Sequence, residues 1–330
     1  MVRIALAGGA GNVGKEVHDA LVARGKHEIL ILSRKDAPAE ALSPGVQWIK
    51  TSYDDVDQLA EALEGVHTVL SFMTGPMDPT NAAQEDGQKP LIDASIKAGV
   101  KRFAPSEWAT SKFNHMFWYN FKDKIRKYLM KVNKEKKVIE YTLFQPGFFT
   151  NYLTFPFSSA KHVNLFETPV NYHQHRVLTT EGGEDAIVTM TTAQDFAKVV
   201  ALAVEYEGEW PLVSGIKGGT MTIGQIIALG EKLRGKPFEV TKLNPKDLKA
   251  GVVKAPWLPR LVHPAIPQET LDAVIPSFLV GFLLGISAGN FEVSDEWNRL
   301  LPDFEFTQPE EFLATAWAAI DAGAKSVHTD

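Results

Sequence analysis

The sequence predicts an α/β protein: a parallel sheet wound on both faces by helices, followed by a smaller C-terminal lobe. Three observations carry this. Residues 2–7 form a short apolar run that ends where glycines begin, and helical periodicity follows. Apolar runs then alternate with helical stretches as far as residue 149. The runs are apolar throughout instead of alternating with polar residues, as strands covered on both sides require.

The elements follow in order. After the strand at 2–7, Val13, Val17 and Leu21 recur at helical spacing, and Gly25 supplies the stop. HEILILS (27–33) is the second strand and VQWIKTSY (46–53) the third. DDVDQLAEALEG (54–65) is a helix with an acidic first turn, and HTVLSFM (67–73) is the fourth strand. QKPLIDASIKAG (88–99) is a helix, and VKRFAPSEWA (100–109) carries the fifth strand. A basic helix leads to IEYTLFQPGFF (139–149), read as a single sixth strand. The strand and helix at 186–204 are expected to rejoin this domain. The domain reading is therefore 1–155 with 186–213, and a lobe made of 156–185 and 214–330. TTEGGEDA (179–186) is a loop, residues 221–235 are a helix, and residues 307–323 are a helix begun at a Thr-x-x-Glu-like box.

Composition excludes several classes. The chain has 330 residues, is 45% hydrophobic and carries a net charge of −6, so nucleic acid is not the expected partner. With no cysteine there are no disulfides, thiolate nucleophiles or sulfur-bound zinc. Nine scattered histidines without HExxH predict no metal, and the absence of Gly-x-Ser-x-Gly argues against a hydrolase. The start has no signal-peptide layout, which predicts a cytoplasmic protein. The apolar segment 273–289 contains Pro276, Gly281 and Gly285. It is shorter than the roughly 20 residues of a membrane span, so it reads as a buried helix, a pocket wall or a homodimer face.

The glycine turn carries the first chemistry. Gly8, Gly11 and Gly14 fit GxxGxxG, and Gly9, Gly11 and Gly14 fit GxGxxG. Between a strand and a helix, such glycines let phosphate approach backbone N–H groups at the helix start, here those of Asn12 and Val13. This is the start of a Rossmann-type dinucleotide-binding domain. Where an NAD site usually places an acid, about 20 residues on, the chain has Arg34 and Lys35. Two cations suit a 2′-phosphate, so the expected cofactor is NADPH or NADP+. Met73, Thr74 and Gly75 end the fourth strand on the edge where cofactors lie, and Ser106 ends the fifth. Ser106 is read either as a hydrogen-bond donor to cofactor or substrate or as a helix N-cap, and Glu107 as structural. Pro146 and Phe148 follow the sixth strand and are further cofactor candidates.

WYNFKDKIRK (118–127) looks like a short-chain dehydrogenase signature, but Tyr119 and Lys122 are three apart and position 123 is Asp. On an α-helix Trp118 shares the face of Lys122, and Tyr119 points about 100° away from that indole. Trp118, Phe121, Ile125, Leu129 and Val132 form the apolar stripe, and Lys122 flanks it.

These residues resemble the NmrA-like, isoflavone-reductase-like branch of the atypical short-chain dehydrogenases. The likeness rests on GGAGNVG, the arginine ending strand two, AGVKRFAPSEW, Lys122 followed by IR, and YTLFQPGFFTNYL, with FTQPEEFL more loosely. Trp108 and Ala109 depart from the family's Pro-Ser-Glu-Phe-Gly run. The resemblance implies an NADP-binding fold with a small substrate domain and a catalytic lysine at Lys122. Lys122 either acts as general acid or base, or holds the nicotinamide ribose. The resemblance also admits a dinucleotide-sensing regulator and a non-redox cyclase or isomerase. Trp118, Phe149, Tyr152 and Phe155 are read as an aromatic pocket for a flat, weakly charged substrate such as an enone, imine, quinone methide or polyketide-like ketone.

Overall fold

The computed structural model describes residues 1–73, 87–262 and 267–328. Its central feature is a six-stranded sheet built from β1 (Arg3–Ala7), β2 (Glu28–Ser33), β3 (Val46–Lys50), β4 (Thr68–Ser71), β5 (Arg102–Ala104) and β6 (Glu140–Tyr141). The order is β3-β2-β1-β4-β5-β6 and every pairing is parallel. That is the doubly wound Rossmann arrangement, with its switch point between β1 and β4.

Strand alternation sends Ala5, Leu30, Val69 and Phe103 to one face. There they pack with Leu59 and Leu63 at α2 (Val56–Ala62), Leu91 and Ile92 of α3 (Gln88–Lys97), and Ile125 and Leu129 of α4 (Asn120–Val132). Helices α1 (Asn12–Arg24) and α5 (Ala193–Glu205) bury Val17, Leu21, Phe196 and Val200, and Arg24 bridges to Glu205 at 2.6 Å. The αL conformation of Gly25 caps α1, and the side chain of Asp55 caps α2 by accepting from the N–H groups of Asp57 and Gln58.

The chain divides into two compact units. The first holds residues 1–108, 118–144 and 196–214, and the second holds 109–117, 145–195 and 215–330. The second unit is not the smaller one; it contains more residues than the first. Its remaining strands are β7 (Leu143–Gln145), which begins in the first unit, β8 (Phe148–Phe149), β9 (Val170–Asn171), β10 (Arg176–Thr180) and β11 (Ile187–Thr191). β12 (Val213–Gly215), whose first two residues belong to the first unit, β13 (Gly219–Thr222) and β14 (Glu239–Leu243) follow. They form the small sheets β14-β10-β9, β13-β11-β8 and β12-β7. The helices are α6 (Ile223–Arg234), α7 (Pro245–Lys249), α8 (Gln268–Ser287), α9 (Glu296–Leu300) and α10 (Pro309–Asp321).

Four expectations are corrected. Residues 139–149 are three strands in three sheets, because Thr142 leaves the parallel sheet and Pro146–Gly147 turns the chain onto β11. The rejoining segment therefore begins at Phe196, since β11 pairs with β8 and β13 and not with the large sheet. The box at Thr307 does not form: its N–H donates to the Asp195 carboxylate, and α10 starts at Pro309 without a side-chain cap. The reciprocal capping box belongs to Thr222 and Gln225 at α6. Helix α8 begins five residues before the predicted segment. It is long and apolar enough to cross a membrane, with 56% of its most apolar window buried within the protein.

Candidate functional site

In the first unit the candidate residues gather at the C-terminal ends of β1, β2, β4 and β5. The glycine turn is held from both sides. Gly8 adopts φ +75°, and its N–H donates to the Leu32 carbonyl (3.0 Å) and to the Tyr53 hydroxyl (3.2 Å). The Tyr53 hydroxyl in turn donates to the same carbonyl, so the phenol clasps the end of β1 to the end of β2. A Cβ on Gly14 would lie 2.8 Å from the Gly8 carbonyl oxygen and 2.9 Å from Gly9 Cα, both backbone atoms. Side chains are excluded there, while the first-turn N–H groups of Asn12 and Val13 have no acceptor within the helix. Gly11 is the N-cap and adds no side-chain bond. Tyr53 was not singled out by the sequence; at φ +68° it sits in a conformation that bulky residues rarely adopt.

Arg34 and Lys35 follow β2 and are exposed. Their turn is pinned by Ser33, whose Oγ accepts from the Lys35 N–H (3.1 Å), and by Trp48, whose Nε1 donates to the Lys35 carbonyl (3.0 Å). The nearby acid, Asp36, is paired with Lys50 at 2.7 Å, which holds its carboxyl below the ordinary carboxylate range. Met73 closes β4's extension and is half-buried; Thr74 and Gly75 lie outside the described residues.

Residues 106–108 are fixed at successive positions. The Ser106 N–H donates to Gln88 Oε1 (2.9 Å); no helix follows at once, so Ser106 is not an N-cap. The Glu107 carboxylate is 1% exposed and accepts from Arg126 Nε (2.9 Å) and Nη2 (2.6 Å). Trp108 donates from Nε1 to the Ser71 carbonyl (2.7 Å), and its indole stacks between Phe72 (4.6 Å) and Phe144 (5.4 Å). The Phe72 ring would lie 3.1 Å from a Cβ on Gly14, so this stack floors the glycine turn.

Lys122 lies in the first turn of α4 and is 6% exposed. Its Nζ donates to the Glu107 backbone carbonyl and stands 4.4 Å from the centroid of the Tyr119 ring. Tyr119 ends the 3-10 turn Phe117–Tyr119 and stands three residues before Lys122, a spacing that makes side chains neighbours on a helix surface, so its ring lies over the ammonium. Desolvation lowers the Lys122 pKa to about 8; Glu107 raises it and Arg126 lowers it further. Burial pushes the Tyr119 phenol up to about 12. Trp118 is buried and meets Tyr119 edge-on at 5.7 Å.

Pro146, Phe148, Phe149, Tyr152 and Phe155 belong to the second unit. Pro146 is buried and precedes Gly147, where a Cβ would fall 2.4 Å from the Thr189 carbonyl oxygen. Phe148 and Phe149 pair with Met190 and Thr191 of β11. Tyr152 meets Phe148 at 5.3 Å, Phe149 at 6.0 Å and Phe166 at 4.5 Å, and Phe148 also reaches Phe282 and Phe291. Phe148 also lines a narrow apolar cleft enclosing only about 30 Å³, together with Leu178, Thr180, Ile226, Leu283 and Phe291. Phe155 is half-buried and is joined to Pro156 by a cis peptide. Among the described residues, no group of three or more His, Asp or Glu side chains is placed to hold a metal.

The chain is similar to Oxidoreductase BOA1 of Botryotinia fuckeliana, 26% identical over 94% of this chain and 100% of that protein. Among solved structures it resembles the complex described as AtPrR2 with NADP+ and (+)pinoresinol (TM-score 0.67, 21% identity, 95% of this chain and 98% of that one). It also resembles the NADPH-dependent quinone oxidoreductase QOR2 of Escherichia coli complexed with NADPH (TM-score 0.66, 20% identity, 96% and 99%). At these identities the structural likenesses establish the fold. The NmrA-like family model matches residues 2–280, and the chain therefore belongs to the NmrA-like family.

Proposed function

We propose that the protein is an NADPH-dependent reductase that adds hydride to an activated C=C, C=O or C=N of a small, largely apolar substrate, with Lys122 as proton donor. One observation carries this reading: a buried lysine, its pKa brought down to about 8, in the same unit as a glycine turn that excludes side chains. A sensor that only binds dinucleotide has no use for a buried proton donor.

The residues fit the cofactor. Gly8, Gly11 and Gly14, with the N–H groups of Asn12 and Val13, would hold the pyrophosphate. Arg34 and Lys35 would meet the 2′-phosphate, and Met73 and Ser106 would border the remainder. When bound, NADPH supplies the hydride. Lys122 releases a proton to the atom left negative, which is the heteroatom of a C=O or C=N, or the carbonyl oxygen of an enone. The substrate thereby gains one hydride and one proton, and the amine is reprotonated from solvent. A lowered pKa keeps most of the ammonium protonated at neutral pH while easing that release. The NADP+ and NADPH complexes of the neighbours and the oxidoreductase names of the fungal relatives support the reading. The apolar and aromatic side chains around Phe148 are the support for a weakly charged substrate.

The test is calorimetric titration with NADPH and NADH, repeated on Arg34→Ala. The wild type should prefer NADPH by roughly tenfold or more, and Arg34→Ala should lose most of that preference. Equal binding of both coenzymes by the wild type, or binding of neither, overturns the reading.

A further inference from the structure

We propose that Glu107 and Arg126 are positioning residues for Lys122: their ion pair fixes the backbone carbonyl on which the ammonium rests and balances the charge around it. The proposal rests on the reading of Lys122 as proton donor.

Geometry carries it. The carbonyl that accepts from Lys122 belongs to Glu107 itself, so whatever holds the Glu107 side chain also holds that acceptor. Two N–H bonds from Arg126 hold it. The neighbouring anchors, Ser106 N–H to Gln88 and Trp108 Nε1 to the Ser71 carbonyl, stop the segment from sliding. Arg126 lies one helical turn beyond Lys122, on the same face of α4. A buried ion pair is a weak device for stability alone, since apolar replacements of similar volume often serve as well. Beside a buried ammonium it has another use.

Three ionisable groups face one another here. Lys122 and Arg126 are cations, and Glu107 is an anion 1% exposed. The nearby Tyr119 phenol contributes no charge, because burial keeps its proton on. Glu107 favours the ammonium and Arg126 opposes it, so the pair leaves burial as the dominant influence on Lys122. Removing one partner breaks that balance in a direction fixed by its sign.

The experiment needs neither cofactor nor substrate. Lysines labelled with carbon-13 at Cε are titrated by NMR in the intact apo protein, and Lys122→Met assigns the signal. Arg126→Gln should move the Lys122 titration up by about one pH unit, and Glu107→Gln should move it down by a similar amount. The double variant should return it near the wild-type position. Arg126→Lys, which keeps the charge but not the fork, should also titrate like wild type. This variant and the double variant, which leaves neither member of the ion pair without its partner, keep the test decisive if a single variant fails to fold. Both singles moving the same way, no movement in any variant, or Arg126→Lys behaving like Arg126→Gln each overturns the proposal. A pair with only a structural role would change the melting temperature and leave the titration in place. Failure of the reductase reading registers separately, as absent or unselective NADPH binding.

Discussion

Lys122 shows what burial does to a single cation. Its stem flanks the apolar stripe of α4 while its ammonium is held by the Glu107 carbonyl and lies near the Tyr119 and Phe121 rings. Replacing it by Met should lower kcat on the order of 10²- to 10⁴-fold if it moves the proton; a change confined to the KM for NADPH would assign it to ribose binding instead. Acting as an acid, it should keep activity below about pH 8 and lose it above, as the ammonium gives up its proton. Stability follows with a definite sign. The folded pKa is lower than that of a free lysine, so between about 8 and 10.5 the unfolded chain binds more protons, and stability rises with pH. Between pH 7 and 10 the wild type should therefore gain on Lys122→Met by on the order of 2–3 kcal/mol, read from urea unfolding of both proteins. The burial of Lys122 was legible, because a residue at the margin of an apolar stripe has a face to hide in. Its partners were not: Arg126 lies 19 residues from Glu107, and only the tertiary fold joins them.

At the scale of elements, the glycine turn was the most legible feature, since its requirement is local. Gly14→Ala places a methyl against two backbone positions that have no rotamer to give way. It should weaken NADPH binding at least about tenfold in calorimetry and destabilise the protein by about 1–3 kcal/mol in thermal melts. The run at 139–149 was read as one strand because its apolarity is continuous. Its division depends on which neighbour each part meets. Thr142 turns its hydroxyl to the Pro211 carbonyl and Ser214, and Gly147 can approach Thr189 only because it lacks a Cβ. Neither neighbour is visible from within the segment.

At the scale of the molecule, the alternation of strand and helix made the parallel sheet readable, because each unit of that rhythm is short and self-contained. The second unit resisted. Its pairings are long-range, as between β10 and β14, and its strands are brief. Helix α8, membrane-like by composition, buries Leu279, Leu283 and Leu284 against Leu178, Leu243 and Leu248. Leu279→Ala should destabilise the protein by about 2–5 kcal/mol in urea unfolding, the usual effect of a cavity at a fully buried leucine. Tyr53 bears on the molecule differently. Holding a tyrosine at φ +68° costs about 1–3 kcal/mol, and the phenol clasp on Gly8 and Leu32 is what that strain maintains. Glycine at position 53 would relax the backbone, yet it would also empty a site in the core where the ring is 4% exposed, and the lost packing, about 3–5 kcal/mol, outweighs that relief. The set of the glycine turn is therefore insured by the core itself: a chain cannot shed the strained residue without loosening the wall behind it.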